Sequence, residues 1–345
     1  MNKGKYINKY VYVYADIFFA KGYSRTMMCD LKQNKWQFLP NEYYELILWF
    51  KRDPIDIIEN NIKKKEIELY EFIEFLLSHN YAQIVDDISL FPDIELKWES
   101  PHFIENSIID IDESSNHDYF KIAQELQELF CKNIQLRCFC EKNISEIEDI
   151  IKAFMGRDFE SVDFILKFSD LINENDYLLL ARQYPSVSFV VHSAPKNIFF
   201  ESKLKGIYPI VGYVQYVNQV ITSAQCCGVI NKESFVYPKN PRDFIEGIVR
   251  NRCLNAKISI SVSGEIKNCP SMKISYGNIK TTSLMDVYKK KEFKKYWFLV
   301  KDKISVCKDC EYRYVCNDCR AFVKKKLGKP VKCNYDPYQA VWRNE

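Results

Sequence analysis

Seven cysteines near the C-terminal end are the residues whose type and spacing point most directly to chemistry. They fall within 81 residues, whereas the other six of the 13 cysteines are spread over the preceding 252. Four of them form the run Cys307-x2-Cys310-x5-Cys316-x2-Cys319. A gap of two residues lets two thiolates from one turn point at a common centre, as a tetrathiolate zinc or iron–sulfur site requires. The spacing therefore predicts a site for a soft metal.

Three more distant cysteines complete the set. Ten residues separate Cys253 from Gly264, four separate Gly264 from Cys269, and thirteen separate Cys319 from Cys333. One four-cysteine zinc site would leave three thiols over, whereas seven suit two clusters, one with four protein thiolates and one with three plus a further ligand. A disulfide framework is disfavoured in a chain of this size that is expected in the cytoplasm. We therefore expect two [4Fe-4S] clusters, with zinc as the alternative.

These residues resemble the SPASM domain, the twin-cluster C-terminal extension of many radical S-adenosylmethionine enzymes that modify peptides. The resemblance covers about residues 245–335, where the Cys-Gly-Cys segment, the Cys-x2-Cys-x5-Cys run and the distal cysteine occur in order. It departs from the family in one place, because two residues separate Cys316 from Cys319 where three are common.

The SPASM pattern also implies a ligand set for each cluster. One [4Fe-4S] cluster would be held by Cys307, Cys310, Cys316 and Cys333, and the other by Cys253, Cys269 and Cys319. Cys226 and Cys227 are candidates for a fourth ligand of the second cluster.

The cysteines that would cleave S-adenosylmethionine are missing from this sequence. Radical enzymes of this kind hold that cluster on Cys-x3-Cys-x2-Cys after the first barrel strand, yet no cysteine follows the strand NSIIDID in the next segment, ESSNHDYF. Cys131, Cys138 and Cys140 have a different spacing and are expected to be buried core thiols. Radical catalysis is therefore not predicted, and an enzyme with a non-standard redox site is a second hypothesis.

Three units are expected to position the cysteines. Residues 1–95 combine short β-rich runs with amphipathic helices and read as a winged-helix-like domain. Residues 96–245 alternate apolar strands with helices, which predicts a parallel sheet in a truncated (βα) barrel. Residues 246–345 hold the cysteine-rich module. The expected fold class is α/β within the sheet and α+β over the whole chain.

With its barrel truncated and its module retained, the chain resembles the SPASM-domain peptide maturase of the grasp-with-spasm system. Segments outside the module that carry this resemblance are KGYSRTMMCDLKQNKWQFLP, LFPDIELKWESPHFIENSIIDID and YGNIKTTSLMDV. The resemblance implies an accessory maturase in the biosynthesis of a ribosomally synthesised, post-translationally modified peptide. Its partners would be the precursor peptide and an ATP-grasp ligase, and no particular reaction is implied.

The N-terminal unit resembles the precursor-recognition elements of such pathways, which capture a leader peptide as an added strand. The candidate groove lies between the strand KWQFL and the helix around residues 69–77, and a plain accessory domain is the alternative. DNA binding is disfavoured because the charge is distributed unevenly: residues 270–345 hold 18 Lys and Arg against 8 Asp and Glu, whereas the whole chain is +3. Residues 1–269 are thus net negative.

Other classes of function find little support. The apolar runs are too short to cross a bilayer and the N-terminus lacks a signal-peptide pattern, so we expect a cytoplasmic protein. Neither a G-x-G-x-x-G nor a Walker pattern occurs among the ten glycines, so an ATP-using step belongs to a partner. Of the four histidines, His192 at a predicted strand end is the functional candidate. A zinc-stabilised peptide- or protein-binding module without redox activity is the alternative function.

Overall fold

The computed structural model describes residues 6–62, 68–200, 212–235 and 240–343. The N-terminal unit contains, in chain order, β1 (Tyr10–Val13), β2 (Ile17–Lys21), β3 (Thr26–Asp30), β4 (Lys35–Leu39), α1 (Asn41–Phe50), α2 (Ile55–Ile62), α3 (Leu69–Ser78) and β5 (Ala82–Val85). Strands β2, β3 and β4 form an antiparallel sheet in that order, and β1 pairs with β5. The helices pack on a core that includes Leu46, Ile58 and Ile73. The winged-helix-like assignment of this unit stays a prediction.

The middle of the chain alternates strands and helices. Its elements are β6 (Asn106–Ile111), α4 (Tyr119–Glu128), β7 (Asn133–Cys138), α5 (Ile144–Phe154), β8 (Ser161–Lys167), α6 (Glu174–Gln183), β9 (Val187–His192), β10 (Ile198–Phe200) and β11 (Val214–Tyr216). Asn143 and Asn173 precede α5 and α6 as N-cap residues of capping boxes. In each box the asparagine side chain accepts a hydrogen bond from the backbone amide three residues later, and the acidic side chain there accepts one from the backbone amide of the asparagine. The first residues of the predicted strand YPIVGYV lie outside the described residues, and its last residue begins β11.

The C-terminal part of the chain contributes short elements and long loops. They are α7 (Pro241–Val249), β12 (Lys257–Ile260), β13 (Ile266–Lys267), α8 (Leu284–Lys289), β14 (Tyr335–Asp336) and β15 (Val341–Trp342). Strands β12 and β13 form a hairpin around Gly264, whose φ of 83° favours glycine. The sequence SLMDVYKKKEFKKYWFLV favours a helix over its whole length, but α8 covers only its first part. Its backbone becomes extended at Lys290, and this break lets Phe293 and Trp297 turn into the main core.

One eight-stranded sheet joins the middle and C-terminal parts. Its order is β10–β11–β9–β8–β7–β6–β12–β13, and every neighbouring pair from β11 to β12 is parallel. The predicted α/β class with a parallel-rich sheet is therefore confirmed. Because β12 pairs with β6, the cysteine module adds strands to the sheet rather than standing apart from it. In the described ranges, none of the helices has the length and hydropathy of a transmembrane helix.

Candidate metal centre

Four of the predicted ligands surround one cavity in the C-terminal module. Its wall includes the thiols of Cys307, Cys310, Cys316 and Cys333, together with the amine of Lys301 and the aromatic rings of Tyr312, Tyr335 and Trp342. Cys307 and Cys316 are buried, and Cys310 and Cys333 are half-buried. The structure thus brings together the four cysteines that the SPASM pattern groups, although they are spread over 27 positions of sequence.

A strained backbone precedes the first of these cysteines. Val306 has a φ of 69°, a left-handed conformation that a β-branched side chain rarely adopts. The conformation lets Cys307 begin a tight turn, in which the amide of Cys310 donates to the carbonyl of Cys307 at 3.1 Å. Strain of this kind persists where the surrounding structure over-determines it, and Val306 itself lines the cavity.

A buried cation faces these sulfurs. The amine of Lys301 donates to the Sγ of Cys316 at 2.9 Å and lies 3.7 Å from the carboxylate of Asp318. Burial opposes the charge of Lys301, but Cys316, Asp318 and Cys307 outweigh it, so the pKa of Lys301 is raised. Lys301 therefore holds a full positive charge where thiolates would gather.

Burial also makes the thiols weak acids while no metal is bound. It raises the pKa of Cys307 to about 11, and the pKa values of Cys310 and Cys316 are likewise raised by burial, with Lys301 opposing the shift in all three. Metal binding must therefore displace protons from these sulfurs. The positive charge of Lys301 lowers the free energy that this deprotonation requires.

The other three predicted ligands lie near one another and form a second group. Cys269 and Cys319 are buried and Cys253 is half-buried. Cys253 and Cys269 pack with Leu254 and Met272 in a small apolar cluster. The negative charge of Cys269 raises the pKa of Cys253, and that of Cys253 raises the pKa of Cys319, each in addition to the larger effect of burial. Backbone amides of Ser271 and Phe322 donate to the sulfurs of Cys269 and Cys319, as amides commonly do around metal-bound thiolates.

A buried polar network connects the two cysteine groups. Asp318, which lies between Cys316 and Cys319 in sequence, pairs with Arg320 at 2.7 Å. Its other carboxylate oxygen accepts from the Nδ2 of Asn251 at 2.8 Å, and the Oδ1 of Asn251 accepts from the amide of Cys253 at 3.1 Å. No local sequence pattern predicts this network, since neither Asn251 nor Asp318 belongs to a recognisable motif.

The donor chemistry of both groups fits an iron–sulfur cofactor. Thiolates are soft ligands that select zinc or iron–sulfur clusters over hard cations. Among the described residues, no group of three or more Cys, His, Asp or Glu side chains is arranged to bind a single metal ion. The cysteines Cys307, Cys310, Cys316 and Cys333 line one cavity.

The remaining candidates from the sequence lie elsewhere. Cys131, Cys138 and Cys140 are buried as expected, the first two in the main core. His192 ends β9, where its Nε2 contacts the carbonyl of Cys138 at 3.2 Å and its Nδ1 contacts the hydroxyl of Ser193 at 3.0 Å. Both ring nitrogens of His192 thus have protein partners.

A buried ion pair that the sequence analysis missed lies on the sheet. Arg137 on β7 donates to both carboxylate oxygens of Asp110 on β6, at 2.7 and 2.9 Å. The two residues are direct neighbours in the parallel register. The sequence does contain a sign of this ion pair, namely the aspartate inside the apolar run NSIIDI. A charge that is buried in a strand requires a partner of opposite charge.

Comparison with known proteins places a named domain on this geometry. Residues 252–311 match the SPASM family, an iron–sulfur cluster-binding domain. The matched stretch contains Cys253, Cys269, Cys307 and Cys310, and the other three predicted ligands follow it.

Two curated relatives align over part of the chain. They are AdoMet-dependent heme synthases of Nitratidesulfovibrio vulgaris (27% identical over 82 residues, 23% of this chain and 22% of the relative) and of Oleidesulfovibrio alaskensis (24% over 106 residues, 29% and 27%). The chain spans about a quarter of the length of these relatives.

Solved structures of one peptide-modifying protein align over most of the chain. Streptococcus suis SuiB bound to S-adenosylmethionine has 14% identity and a TM-score of 0.42, covering 93% of this chain and 98% of that one. SuiB bound to the precursor peptide SuiA has 13% identity and a TM-score of 0.38, covering 92% and 98%.

The class of protein follows from the sheet and the matched domain together. The chain is an α/β protein with a parallel-rich sheet and an iron–sulfur cluster-binding domain. More particularly, residues 252–311 match the SPASM domain, and part of the chain is similar to AdoMet-dependent heme synthases.

Proposed function

We propose that this protein is an accessory maturase for a ribosomally synthesised peptide, that it acts in the cytoplasm, and that it carries two [4Fe-4S] clusters. The first cluster is assigned to Cys307, Cys310, Cys316 and Cys333, and the second to Cys253, Cys269 and Cys319. The observation that carries the proposal is the cavity whose wall contains the first four thiols, in a chain with a SPASM domain.

The residues of the chain prepare the first site for an anionic group. Lys301 supplies a buried positive charge at 2.9 Å from Cys316, and the rings of Tyr312, Tyr335 and Trp342 keep water away from the sulfurs. When bound, an iron–sulfur cluster supplies one-electron redox chemistry or a structural crosslink. Lys301 and Arg320 partly offset the negative charge that four thiolates bring.

Cleavage of S-adenosylmethionine is not part of the proposal. After β6, where a radical enzyme of this kind places its cysteines, the turn is built from Asp112, Ser114 and Ser115. The hydroxyls of both serines donate to the carboxylate of Asp112, at 2.7 and 3.1 Å. These oxygen donors form a local turn motif and leave no soft ligand for that cluster.

Recognition of a precursor peptide is assigned to the N-terminal unit. Among the described strands, β4 pairs only with β3, so its outer edge has backbone groups free to receive an added strand. One face of β4 packs Phe38 against Tyr312 of the cysteine module, at 5.6 Å between ring centroids. A peptide added to β4 would therefore lie next to the domain that carries the clusters. An ATP-grasp ligase is the proposed partner that activates the peptide.

Anaerobic purification followed by iron, sulfide and zinc analysis tests the first half of this proposal. We expect a brown protein with two clusters, and Cys307→Ala to lose one of them. Cys140→Ala, a buried cysteine outside both groups, is the matched control and should keep its iron. Colourless protein with stoichiometric zinc would instead support the zinc-stabilised binding module.

Co-purification tests the peptide half of the proposal. A precursor peptide and an ATP-grasp ligase, when co-expressed with this protein, should elute together with it. A proline at a position of β4 whose amide faces away from β3, as in Trp36→Pro, should weaken retention of the peptide, because proline removes a backbone donor. Retention of iron by that variant separates loss of the peptide from loss of the fold. Equal retention of the peptide by Trp36→Pro would contradict strand addition at β4.

A further inference from the structure

The second cysteine group has three thiols, one short of a four-thiolate shell. Resting on the two-cluster function proposed above, we propose that Cys227 is its fourth protein ligand. The second cluster would then be ligated by Cys227, Cys253, Cys269 and Cys319 and would have no exchangeable site. The same geometry assigns no such role to the neighbouring Cys226.

The backbone next to Cys227 passes directly over one of the three sulfurs. Gly228 has a φ of 86°, and a Cβ placed on it would lie 2.8 Å from the Sγ of Cys319 and 2.7 Å from the ring of Phe322. No side chain fits in that space, so glycine is required for the chain to approach this closely. The close approach brings the preceding residue, Cys227, to the edge of the group.

Cys227 interacts electrostatically with all three members of the group. The sulfur of Cys227 lies close enough for a direct charge interaction with the sulfurs of Cys253, Cys269 and Cys319. Cys227 is itself exposed, whereas the other three are buried or half-buried. It would therefore close the side of the site that faces solvent.

Two side chains fasten the loop that carries Cys227. The amine of Lys332 donates to the carbonyl of Cys227 at 3.0 Å and also to that of Gln225. The hydroxyl of Ser271, two residues after Cys269, donates to the carbonyl of Ala224 at 2.7 Å. The loop is thus tied to the segment that follows Cys269 and to the segment that leads to Cys333.

Cys226 differs from Cys227 in its surroundings and provides a matched control. Its thiol contacts the hydroxyl of Thr222 at 3.7 Å, and hydrogen bonds from the backbone of Thr222 and Ser223 lower its pKa. These partners belong to the loop itself rather than to the cysteine group. We therefore expect Cys227 to be a ligand of the second cluster and Cys226 not to be one.

The test compares Cys227→Ala, Cys227→Ser and Cys226→Ala with the unaltered protein after anaerobic reconstitution. Iron per chain and the electron paramagnetic resonance (EPR) spectrum of the reduced protein are measured with and without cyanide, which binds iron at an open site. We expect the second cluster of Cys227→Ala to be lost or to acquire a cyanide-sensitive signal. Cys226→Ala and the unaltered protein should keep both clusters and remain insensitive to cyanide. Cys227→Ser keeps nearly the volume of the thiol and serves if the alanine variant fails to fold.

The outcomes distinguish this inference from the function on which it rests. Unaltered protein without iron overturns the proposed function itself. Unaltered protein with two clusters, together with a Cys227→Ala variant of the same iron content and the same cyanide-insensitive spectrum, overturns only the assignment of Cys227. A cyanide-sensitive signal in the unaltered protein would also overturn it, because the fourth site would then be open.

Discussion

At Lys301 a buried positive charge lies against a cysteine sulfur. Charges are rarely buried without a partner, and here the partners are the Sγ of Cys316 and the carboxylate of Asp318. An iron–sulfur cluster bound by four thiolates is anionic, so a nearby ammonium should stabilise it and favour its reduced form. Lys301 thus tunes the site without being a ligand.

Replacing Lys301 by Met tests this role. The variant keeps the volume of the side chain but removes the charge, so we expect the first cluster to bind iron about 10–100-fold more weakly. Its reduction potential should fall, because the reduced cluster loses a favourable interaction. Chelator challenge followed by iron analysis, and a redox titration, measure the two effects. Lys303→Met, at an exposed position two residues away, is the control and should change neither.

One buried histidine, His192, and one half-buried histidine, His117, should make the fold sensitive to mild acid. Burial lowers the pKa of His117 and of His192, so the unfolded chain binds protons more readily than the folded one below its histidine pKa of about 6.5. The free energy of unfolding therefore falls as the pH drops through about 6.5, and each unit of pKa depression accounts for about 1.4 kcal/mol once both states are titrated.

Urea denaturation at pH 7.5 and pH 5.5 measures this acid sensitivity. We expect His117→Gln to show a smaller loss of stability on acidification than the unaltered protein. His79→Gln replaces an exposed histidine and should leave the difference unchanged. An equal loss for His117→Gln and the unaltered protein would show that His117 carries no part of the effect.

Helix α7 packs so closely on the cysteine module that the backbone at Gly247 touches the backbone at Tyr314. A Cβ placed on Gly247 would lie 2.0 Å from the carbonyl oxygen of Tyr314, which lies between Cys310 and Cys316. The obstacle is backbone and cannot rotate away. The helix ends just before Cys253, so this contact, together with the network of Asn251 and Asp318, helps to set the relative position of the two cysteine groups.

Gly247→Ala should therefore damage both sites together. We expect a loss of stability of at least about 1–3 kcal/mol from overpacking, and lower iron content in both cluster signals. Gly156→Ala is the control for iron content, since nothing lies within 4 Å of its added Cβ and only its positive φ should cost stability, about 1–2 kcal/mol. Full iron content in Gly247→Ala would mean that α7 does not set the geometry.

The elements that were predictable are those whose signals are local. Apolar alternation and the caps at Asn143 and Asn173 indicate the strands and helices of the sheet without any tertiary information. The pairing of β12 with β6 joins residues about 150 positions apart, and no local pattern encodes it. The end of α8 at Lys289 was also hidden, because the burial of Phe293 overrides helical propensity.

Some residues of the candidate site could be predicted from the sequence, and others could not. The short gaps among the cysteines predict a thiolate metal site, because metal ligation restricts which residue types recur at short gaps, and the resemblance to the SPASM pattern implies the grouping of Cys307, Cys310, Cys316 and Cys333. Lys301 could not be found, since most lysines are exposed and nothing in the sequence marks this one as buried. The loop of Cys227 comes close to the second group only through Gly228 and Lys332, both of which act in three dimensions.

Over the whole molecule, the N-terminal unit and the cysteine module share a hydrophobic core. Met27 and Cys29 of β3 pack with Tyr312, Val315 and Cys316 in one cluster. A backbone hydrogen bond also connects the N-terminal unit to the cysteine module, because the amide of Tyr23 donates to the carbonyl of Asp309 at 2.7 Å. The unit proposed to receive a peptide is therefore continuous with the wall of the first metal site.

An ion pair at this junction links the two parts most directly. The Nε of Arg25 donates to the carboxylate of Glu311 at 2.7 Å, and the hydroxyl of Tyr335 donates to the same oxygen. Glu311 is fully buried next to Cys310, and its other oxygen has no hydrogen-bond partner among the described residues. Arg25 is thus the cation that makes the burial of this carboxylate tolerable.

Removing Arg25 should therefore weaken the whole molecule rather than one end of it. We expect Arg25→Ala to lower the free energy of unfolding by about 3–5 kcal/mol, because Glu311 is left as an unpaired buried charge. The fluorescence of the N-terminal tryptophans and the visible absorbance of the clusters should still change in one transition, at a lower denaturant concentration. Arg52→Ala, which breaks an exposed pair with Asp53, should cost about 0–1 kcal/mol. Two separate transitions in Arg25→Ala, with cluster absorbance lost at its original midpoint, would contradict the coupling, because the module would then be stable without the N-terminal unit.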